Sequence, residues 1–337
     1  MSRNVYKGQS APCAALQCGA QSAPQRDSRA TLGEGRTFEA AGMSQRVHDA
    51  VARGYNSSEG IIAAKNKIVG EALRERWTER SAELRVADLG VGDGALLEQM
   101  QAMAVPLCMT GLDVSPAMLR LAASRVRMTP VQGYAEHALK YLAAGHFDLV
   151  LAHFIFAYVP RPALLEQARG LLAPGGVLSI VTSTKEGGTP FFELLERRFR
   201  GRVNPLRRFI GWAADRALAR STVPEDFAEM AADIHAAGLV VLSRRTLRSN
   251  KVFNAPEEAY CFGVEEGWGA GFFAEAGLPM GIARSIARWG VNQCDYPFNF
   301  THVTEIVEVG RAGEHRGALA ANEEVSEPWP AELLQQA

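Results

Sequence analysis

The stretch from Val86 to Gly94, VADLGVGDG, decides the fold of this chain. An apolar run leads into three alternating glycines, Gly90, Gly92 and Gly94, and residues 95–100 can continue as a helix. Only glycine lets the backbone approach a ligand this closely, because it has no Cβ. A strand, a glycine turn and a helix in this order predict a nucleotide-binding cradle.

A single carboxylate, Asp88, stands two positions before the first glycine. A dinucleotide site places a pyrophosphate at the helix start, where free N–H groups and the helix dipole favour anions. A carboxylate at this point is better matched to a ligand that carries a positive charge. The loop by itself leaves a dinucleotide site open, because Gly90, Gly92 and Ala95 also fit the relaxed pattern G-x-G-x-x-A.

A second apolar run, Leu107 to Asp113, also ends in a carboxylate. Its distance from the glycines suits an acidic residue that accepts hydrogen bonds from ribose hydroxyls. Ser115 followed by Pro116 is a helix-start signal, which would hold Asp113 at the carboxyl edge of the sheet. The alternative is that Asp113 only stabilises the first turn of that helix.

Three further segments continue the alternation of strands and helices. Residues 130–142 contain the sequence Gly-Tyr-Ala-Glu, and Phe147 to Phe154 predicts a fourth strand that ends near His153. The turn Ala-Pro-Gly-Gly at 173–176 precedes a fifth strand at 177–182. Such alternation predicts a parallel sheet with ligands at the carboxyl ends of its strands.

These motifs resemble those of the class I S-adenosylmethionine-dependent methyltransferases. VADLGVGDG is similar to their motif I, and LLAPGGVLSIV is similar to their Pro-Gly-Gly turn before strand five. The resemblance implies an α/β, doubly wound, Rossmann-like sheet of seven strands with the last one antiparallel, and S-adenosyl-L-methionine as cofactor. The cofactor-binding residues that it implies are Asp88, Gly90, Gly92, Gly94, Asp113, Val114, Met118, Tyr134, Ala135, Glu136 and His153.

The third segment departs from that family. Methyltransferases often have Gly-Asp-Ala where this chain has Gly133 followed by Tyr134, Ala135 and Glu136. Which of these three residues contacts adenine therefore stays open.

His153 is the candidate catalytic residue, because the end of strand four faces the cofactor in this family. Methyl transfer mainly requires alignment of the acceptor, which contributes roughly 7–11 kcal/mol. A general base is needed only when the nucleophile must lose a proton. An equally good interpretation is that His153 hydrogen-bonds the cofactor or the backbone. The residues that follow it lack the Pro-Pro element of enzymes that methylate nucleobases or glutamine, which favours a small-molecule acceptor, aromatic or amphiphilic.

Two insertions are predicted to form a substrate lid, at 184–221 and 248–300. The first precedes a capping box at Thr222 to Glu225 and predicted strand six at 239–247, and the second separates that strand from predicted strand seven at 301–309. The first insertion also fits an amphipathic helical pair that packs on the core with its arginines in solvent. The second insertion is rich in aromatic residues, most of which would form its own core. The candidate acceptor-binding residues are Tyr260, Trp268 and Tyr296, together with Tyr55 from the preceding helical segment.

Composition limits the remaining classes of function. The chain has 337 residues, 47% of them hydrophobic, which is enough to bury one large core. Its net charge of −1 disfavours a nucleic-acid binder, for which a basic excess is expected. No apolar run is long enough to span a membrane. Five cysteines without a CxxC pair are typical of a reduced cytoplasmic protein without a metal site. A homodimer is left open.

The sequence predicts four regions. They are a disordered tail at 1–42, a helical cover at 43–83, a methyltransferase domain at 84–310 and a flexible tail at 311–337. Translation could also start at Met43. Two other functions stay open: an NAD(P)-dependent oxidoreductase, and a non-catalytic relative that keeps the cofactor fold.

Overall fold

The computed structural model describes residues 45, 49, 61–186, 205, 208, 222–265, 279–315 and 321–328. Several predicted features lie outside these residues. They are the N-terminal tail, nearly all of the first insertion, Tyr55 and Trp268.

The described residues form eight strands: β1 Leu84–Leu89, β2 Leu107–Asp113, β3 Thr129–Gln132, β4 Phe147–His153, β5 Leu172–Ser183, β6 Leu239–Phe253, β7 Phe298–Arg311 and β8 Ala321–Pro328. They make one mixed sheet in the order β3-β2-β1-β4-β5-β7-β6-β8. The first five strands are parallel, and β7 runs antiparallel to both β5 and β6. Strands β1 to β7 confirm the predicted seven strands with the last antiparallel, and β8 is an additional strand.

Helices cover both faces of this sheet. The α-helices are α1 Ile61–Trp77, α2 Ala95–Met100, α3 Pro116–Arg125, α4 Arg161–Leu171, α5 Phe227–Ala236, α6 Pro256–Tyr260 and α7 Met280–Val291; Ala135–Lys140 is a 3-10 helix and Cys261–Glu265 a π-helix. Alternate residues of β4 point to opposite sides, as the strand period requires. Leu149 and Leu151 pack with residues of α1, α2 and α3, whereas Val150 and Ala152 pack with residues of α4 and α5.

The strand order reverses between β1 and β4, so the connections that follow these two strands go to opposite faces of the sheet and leave a crevice at the carboxyl ends. In open α/β sheets, ligands bind at this kind of switch point. Both the glycine loop after β1 and His153 at the end of β4 lie at this edge.

Strands β6 and β7 are longer than the sequence predicts. Their pairing runs from Leu239 opposite Arg311 to Phe253 opposite Phe298, so both ends of the second insertion belong to the sheet. The prediction stopped too early because polar residues such as Asn250 and Lys251 break the apolar pattern of β6. Backbone pairing with β7 overrides that composition.

The predicted flexible tail from 311 onward is wrong for two parts of that range. Arg311 is the last residue of β7, and Ala321–Pro328 pairs parallel to β6 as an eighth strand. The acidic composition of residues 321–328 suggested a solvated tail. Its partner strand carries Arg244, Arg245 and Arg248, so opposite charges are distributed along the two strands.

Two expectations about the whole chain can be compared with the described residues. Cys108 is disulfide-bonded, contrary to the expectation of reduced cysteines, whereas Cys261 and Cys294 are reduced, as expected. In the part of the chain that the structure describes, no helix combines the length and the apolar character needed to cross a bilayer.

Candidate functional site

The glycine loop is held against the end of β2 by its own backbone. Gly90 and Val91 both donate to the carbonyl of Leu112, at 2.8 and 3.0 Å. Gly92 donates to Asp113 Oδ2 at 2.9 Å, and Gly94 donates to the carbonyl of Val91 at 3.1 Å. All three glycines have positive φ, between 55° and 86°, a region that other residues rarely adopt.

Asp113 links the glycine loop to the next helix. While Oδ2 accepts from Gly92, Oδ1 accepts from the N–H of Ser115 at 2.8 Å. Ser115 in turn caps α3, because its hydroxyl oxygen accepts from Met118 N at 3.1 Å and Pro116 follows it, which confirms the predicted helix start. The same hydroxyl donates to the carboxylate of Asp49, which belongs to the predicted helical cover.

One cavity opens at the carboxyl ends of β1, β2 and β4. Eight of the residues predicted to bind cofactor line it: Gly90, Gly92, Asp113, Val114, Tyr134, Ala135, Glu136 and His153. Six further lining residues were not predicted: Leu112, Gly133, Phe154, Ile155, Tyr158 and Val159. The last four follow directly after β4, so their place at a strand's carboxyl end was the available signal.

Three predicted residues do not line this cavity. Met118 is fully buried in the core, and Gly94 packs against the backbone of Ala122. Asp88 is 4% exposed and lies in β1 beneath the loop. Burial, with a smaller contribution from the negative charge of Asp113, raises the pKa of Asp88 to about 8. Asp88 and Met118 are therefore buried supports of the glycine loop, and Gly94 lets α3 pack closely against it.

His153 is held by a partner that sequence reasoning missed. Its Nε2 lies 2.9 Å from Ser179 Oγ on the neighbouring strand, while Nδ1 is buried and has no hydrogen-bond partner among the described residues. Burial lowers the pKa of His153 to about 3, so the ring is neutral at pH 7. A neutral imidazole with this pKa is a weak proton acceptor. The geometry therefore favours a hydrogen-bonding role for His153 over general-base catalysis.

The pKa of His153 predicts how stability depends on pH. The value is about 3 in the folded chain against an ordinary 6.5, so below pH 6.5 the unfolded chain binds more protons. Folding stability should therefore fall as the pH drops from 6.5 toward 3, by at most about 1.4 kcal/mol per pH unit. We expect the melting temperature of His153→Gln to fall less steeply over this window than that of the wild type. Equal slopes in thermal unfolding would contradict this.

Two aromatic candidates of the second insertion, Tyr260 and Tyr296, lie in its own core. Tyr260 is 7% exposed, and the guanidinium carbon of Arg288 lies 3.6 Å from the centre of its ring. The hydroxyl of Tyr296 donates to the carbonyl of Val291 at 2.8 Å, and burial raises the pKa of Tyr296 to about 12. Neither ring lines the cavity described above. Their contact with an acceptor stays a prediction.

The predicted capping box, with Thr222 as the cap of α5, is wrong. Asp226, rather than Thr222, caps α5, since its carboxylate accepts from Glu229 N at 2.9 Å. The hydroxyl of Thr222 instead donates to the carbonyl of Phe156, next to the cavity. A sequence-distant partner thus takes the side chain that local spacing assigned to the helix.

Comparison with known proteins agrees with this geometry. Residues 86–176 match the methyltransferase domain family. The trans-aconitate 2-methyltransferase of Methylobacterium radiotolerans is 36% identical over 94 residues, which are 28% of this chain and 35% of that protein. The enzyme of the same name from Rhodopseudomonas palustris is 34% identical over 98 residues, 28% of this chain and 37% of that protein. The chain thus matches little more than a third of these relatives.

Solved structures are similar at a lower level. The YcgJ protein of Bacillus subtilis is 14% identical, with a TM-score of 0.45 over 72% of this chain and 98% of that chain. Phosphoethanolamine N-methyltransferase 2 of Haemonchus contortus is 17% identical, with a TM-score of 0.41 over 72% of this chain and 52% of that chain. The domain match itself spans the glycine loop, Asp113 and His153. The match of residues 86–176 to the methyltransferase domain family agrees with the class I motifs of the sequence.

Proposed function

We propose that this protein is an S-adenosylmethionine-dependent methyltransferase that acts on a small-molecule acceptor. The observation that carries the proposal is how the glycine loop uses its N–H groups. Those of Gly90, Val91, Gly92 and Gly94 all donate within the protein. A dinucleotide pyrophosphate would need such groups as free donors. The loop therefore suits a nucleoside without a pyrophosphate better than NAD(P).

The charges at the cavity floor support the same choice. The carboxylate of Asp113 raises the free energy of a pyrophosphate bound at the glycine loop, and Asp88, buried nearby, is costly to ionise unless a cationic ligand is present. A ligand with a sulfonium and an ammonium group would instead be attracted. Each oxygen of Asp113 accepts one backbone N–H and has a second lone pair, so the carboxylate can also accept from ribose hydroxyls.

The remaining lining residues fit a nucleoside as well. Leu112, Ile155 and Val159 offer apolar surface, while Glu136 and the backbone near Gly133 supply polar groups. Gly90 has a φ of 86°, and a Cβ added there would lie 2.8 Å from Ile155 Cδ1, so a residue with a side chain would strain the loop and displace Ile155. S-adenosylmethionine, when bound, supplies a methyl group that is already activated. The chain then has to bind, orient and dehydrate the reactants.

In this proposal His153 orients a ligand and does not move a proton. Its neutral ring, fixed by Ser179, presents a constant hydrogen-bonding pattern from pH 5 to 9. An acceptor whose nucleophile is already deprotonated, such as a carboxylate, needs no base. The names of the curated relatives make trans-aconitate the first acceptor to test.

Calorimetry with the full chain tests the cofactor. S-adenosylhomocysteine is expected to bind with a measurable enthalpy, because its ribose hydroxyls suit Asp113 and its nucleoside suits the cavity beside the glycine loop. NAD+ is expected to give no heat of binding under the same conditions. Tight binding of NAD+ with none of S-adenosylhomocysteine would reject the proposal in favour of an oxidoreductase.

A second measurement separates an enzyme from a non-catalytic relative. The protein is incubated with isotope-labelled methyl donor and either trans-aconitate or a metabolite extract, and products are detected by mass spectrometry. A labelled product is expected in at least one mixture. Cofactor binding without any labelled product would favour the non-catalytic alternative.

A further inference from the structure

One side of the cofactor cavity is formed by residues 154–159, which we call the pocket wall. Phe154, Ile155, Tyr158 and Val159 of this segment line the cavity. Phe154 has a φ of 53°, a left-handed conformation that is unusual for a residue with a side chain. Its N–H donates to the carbonyl of Val181 at 2.6 Å. A strained conformation of this kind persists only where surrounding contacts hold it.

Arg161, two residues after the wall, makes three hydrogen bonds to a distant part of the chain. Its Nε donates to Asp233 Oδ2 at 2.6 Å and its Nη2 to Glu229 Oε1 at 2.5 Å, both on α5. Its Nη1 donates to the carbonyl of Thr222 at 2.6 Å. The side chain of Arg161 is only 12% exposed, and its bonds to Asp233 and Thr222 are partly buried, whereas Glu229 is 43% exposed.

The same region reaches the wall a second time. Thr222, whose carbonyl binds Arg161, donates its hydroxyl to the carbonyl of Phe156 in the middle of the wall. The wall is therefore connected to residues 222–233 at its centre through Thr222 and at its end through Arg161.

Both ends of the first insertion meet at this point. The N–H of Lys185 donates to the carbonyl of Pro224 at 2.9 Å, and that of Glu186 to the carbonyl of Glu225 at 3.1 Å. The chain thus enters and leaves the insertion beside the residues that hold the wall.

Arg161 stays charged in this environment. Burial opposes the charge, but the hydrogen bonds that Arg161 donates to Asp233 and Glu229 outweigh it and raise the pKa of Arg161 above its usual value. Charge-assisted bonds with fixed geometry restrain both partners more strongly than neutral ones do.

We propose that Arg161 is a positioning residue, which holds the pocket wall in its cofactor-binding conformation and joins the wall to the base of the first insertion. The effect on wall order follows from the contacts alone. The effect on affinity rests, in addition, on the proposed function.

Hydrogen exchange in the ligand-free full chain tests the effect on wall order. In Arg161→Met, the amides of Phe154 and Tyr158 should exchange at least about tenfold faster than in the wild type. Arg161→Lys, which keeps the charge but loses the forked geometry, should lie in between. The matched control is Arg85→Met. Like Arg161, Arg85 donates two side-chain hydrogen bonds to carboxylate oxygens, but both oxygens belong to Asp148 and lie at the amino ends of the strands.

Affinity for S-adenosylhomocysteine is the second readout. Arg161→Met should weaken binding about tenfold, and Arg85→Met by less than about twofold, while both lower the melting temperature by similar amounts. Unchanged wall exchange in Arg161→Met, with a loss of stability equal to that of the control, would overturn the proposal. If the wild type fails to bind S-adenosylhomocysteine, the proposed function is rejected, and the exchange data still decide the role of Arg161.

Discussion

Replacing Asp113 with alanine should weaken the binding of S-adenosylhomocysteine at least about a hundredfold. The carboxylate accepts from the backbone of Gly92 at 2.9 Å and of Ser115 at 2.8 Å, so its loss releases the glycine loop and the start of α3 together. Two charge-assisted hydrogen bonds of this kind stabilise the ordered loop by about 3 kcal/mol. Because the ligand would then have to order the loop on binding, the same free energy corresponds to a factor of about one hundred in affinity. Any contact with ribose adds to that loss. Isothermal titration of the variant against the wild type measures the effect.

Two control variants define how Asp113 acts. Asp113→Asn keeps one acceptor oxygen and should fall between the wild type and the alanine variant. Asp148→Ala removes another carboxylate that accepts a backbone N–H, that of Arg85 at 3.0 Å, but at the amino end of β4. It should lower stability and leave affinity nearly unchanged. Equal affinity losses in Asp113→Ala and Asp148→Ala would mean that Asp113 has no specific place in the site.

Much of the fold could be predicted because its signals are local. The glycines after β1, the Ser115–Pro116 pair and the Pro-Gly-Gly turn each specify a backbone conformation within a few residues. In the structure the glycines have positive φ and Ser115 caps α3. The carboxyl edge of a parallel sheet then brings such local features together without any further information.

The parts that could not be predicted depend on partners distant in sequence. Ser179 contacts His153 and Thr222 contacts Phe156, yet neither spacing forms a recognisable motif. Strand β8 is stabilised by pairing with β6, although its acidic composition is typical of a solvated tail. The pKa of His153 likewise follows from its burial, which a sequence pattern does not reveal.

The cavity shows how the two kinds of information combine. Sequence placed Asp88 among the ligand-contacting residues, because the motif contains a carboxylate at that position. The structure puts it under the loop, where burial raises its pKa to about 8. A carboxyl group that is costly to ionise in the free protein is stabilised in its charged form by a cationic ligand. Asp88 can therefore favour such a ligand through its charge while it does not line the cavity.

Gly94→Ala should be the most destabilising single-methyl change in the glycine loop, and Gly175→Ala is its matched control. Both glycines have positive φ, 79° and 70°, so either alanine costs about 1 kcal/mol in backbone strain. A Cβ at Gly94 would also lie 2.9 Å from the backbone Cα of Ala122, whereas nothing lies within 4 Å of a Cβ at Gly175. Overpacking of this kind adds about 1–3 kcal/mol.

Urea unfolding of the two variants isolates the packing contribution. Gly94→Ala should lower the free energy of unfolding by about 3 kcal/mol and Gly175→Ala by about 1 kcal/mol. The difference between them reports the contact of α3 with the glycine loop, because the backbone strain is common to both. The loop conformation that holds Gly92 against Asp113 depends on that contact, so Gly94→Ala should also weaken S-adenosylhomocysteine binding while Gly175→Ala does not. Equal losses of stability in the two variants would show that α3 moves away freely and that close packing does not shape the cradle.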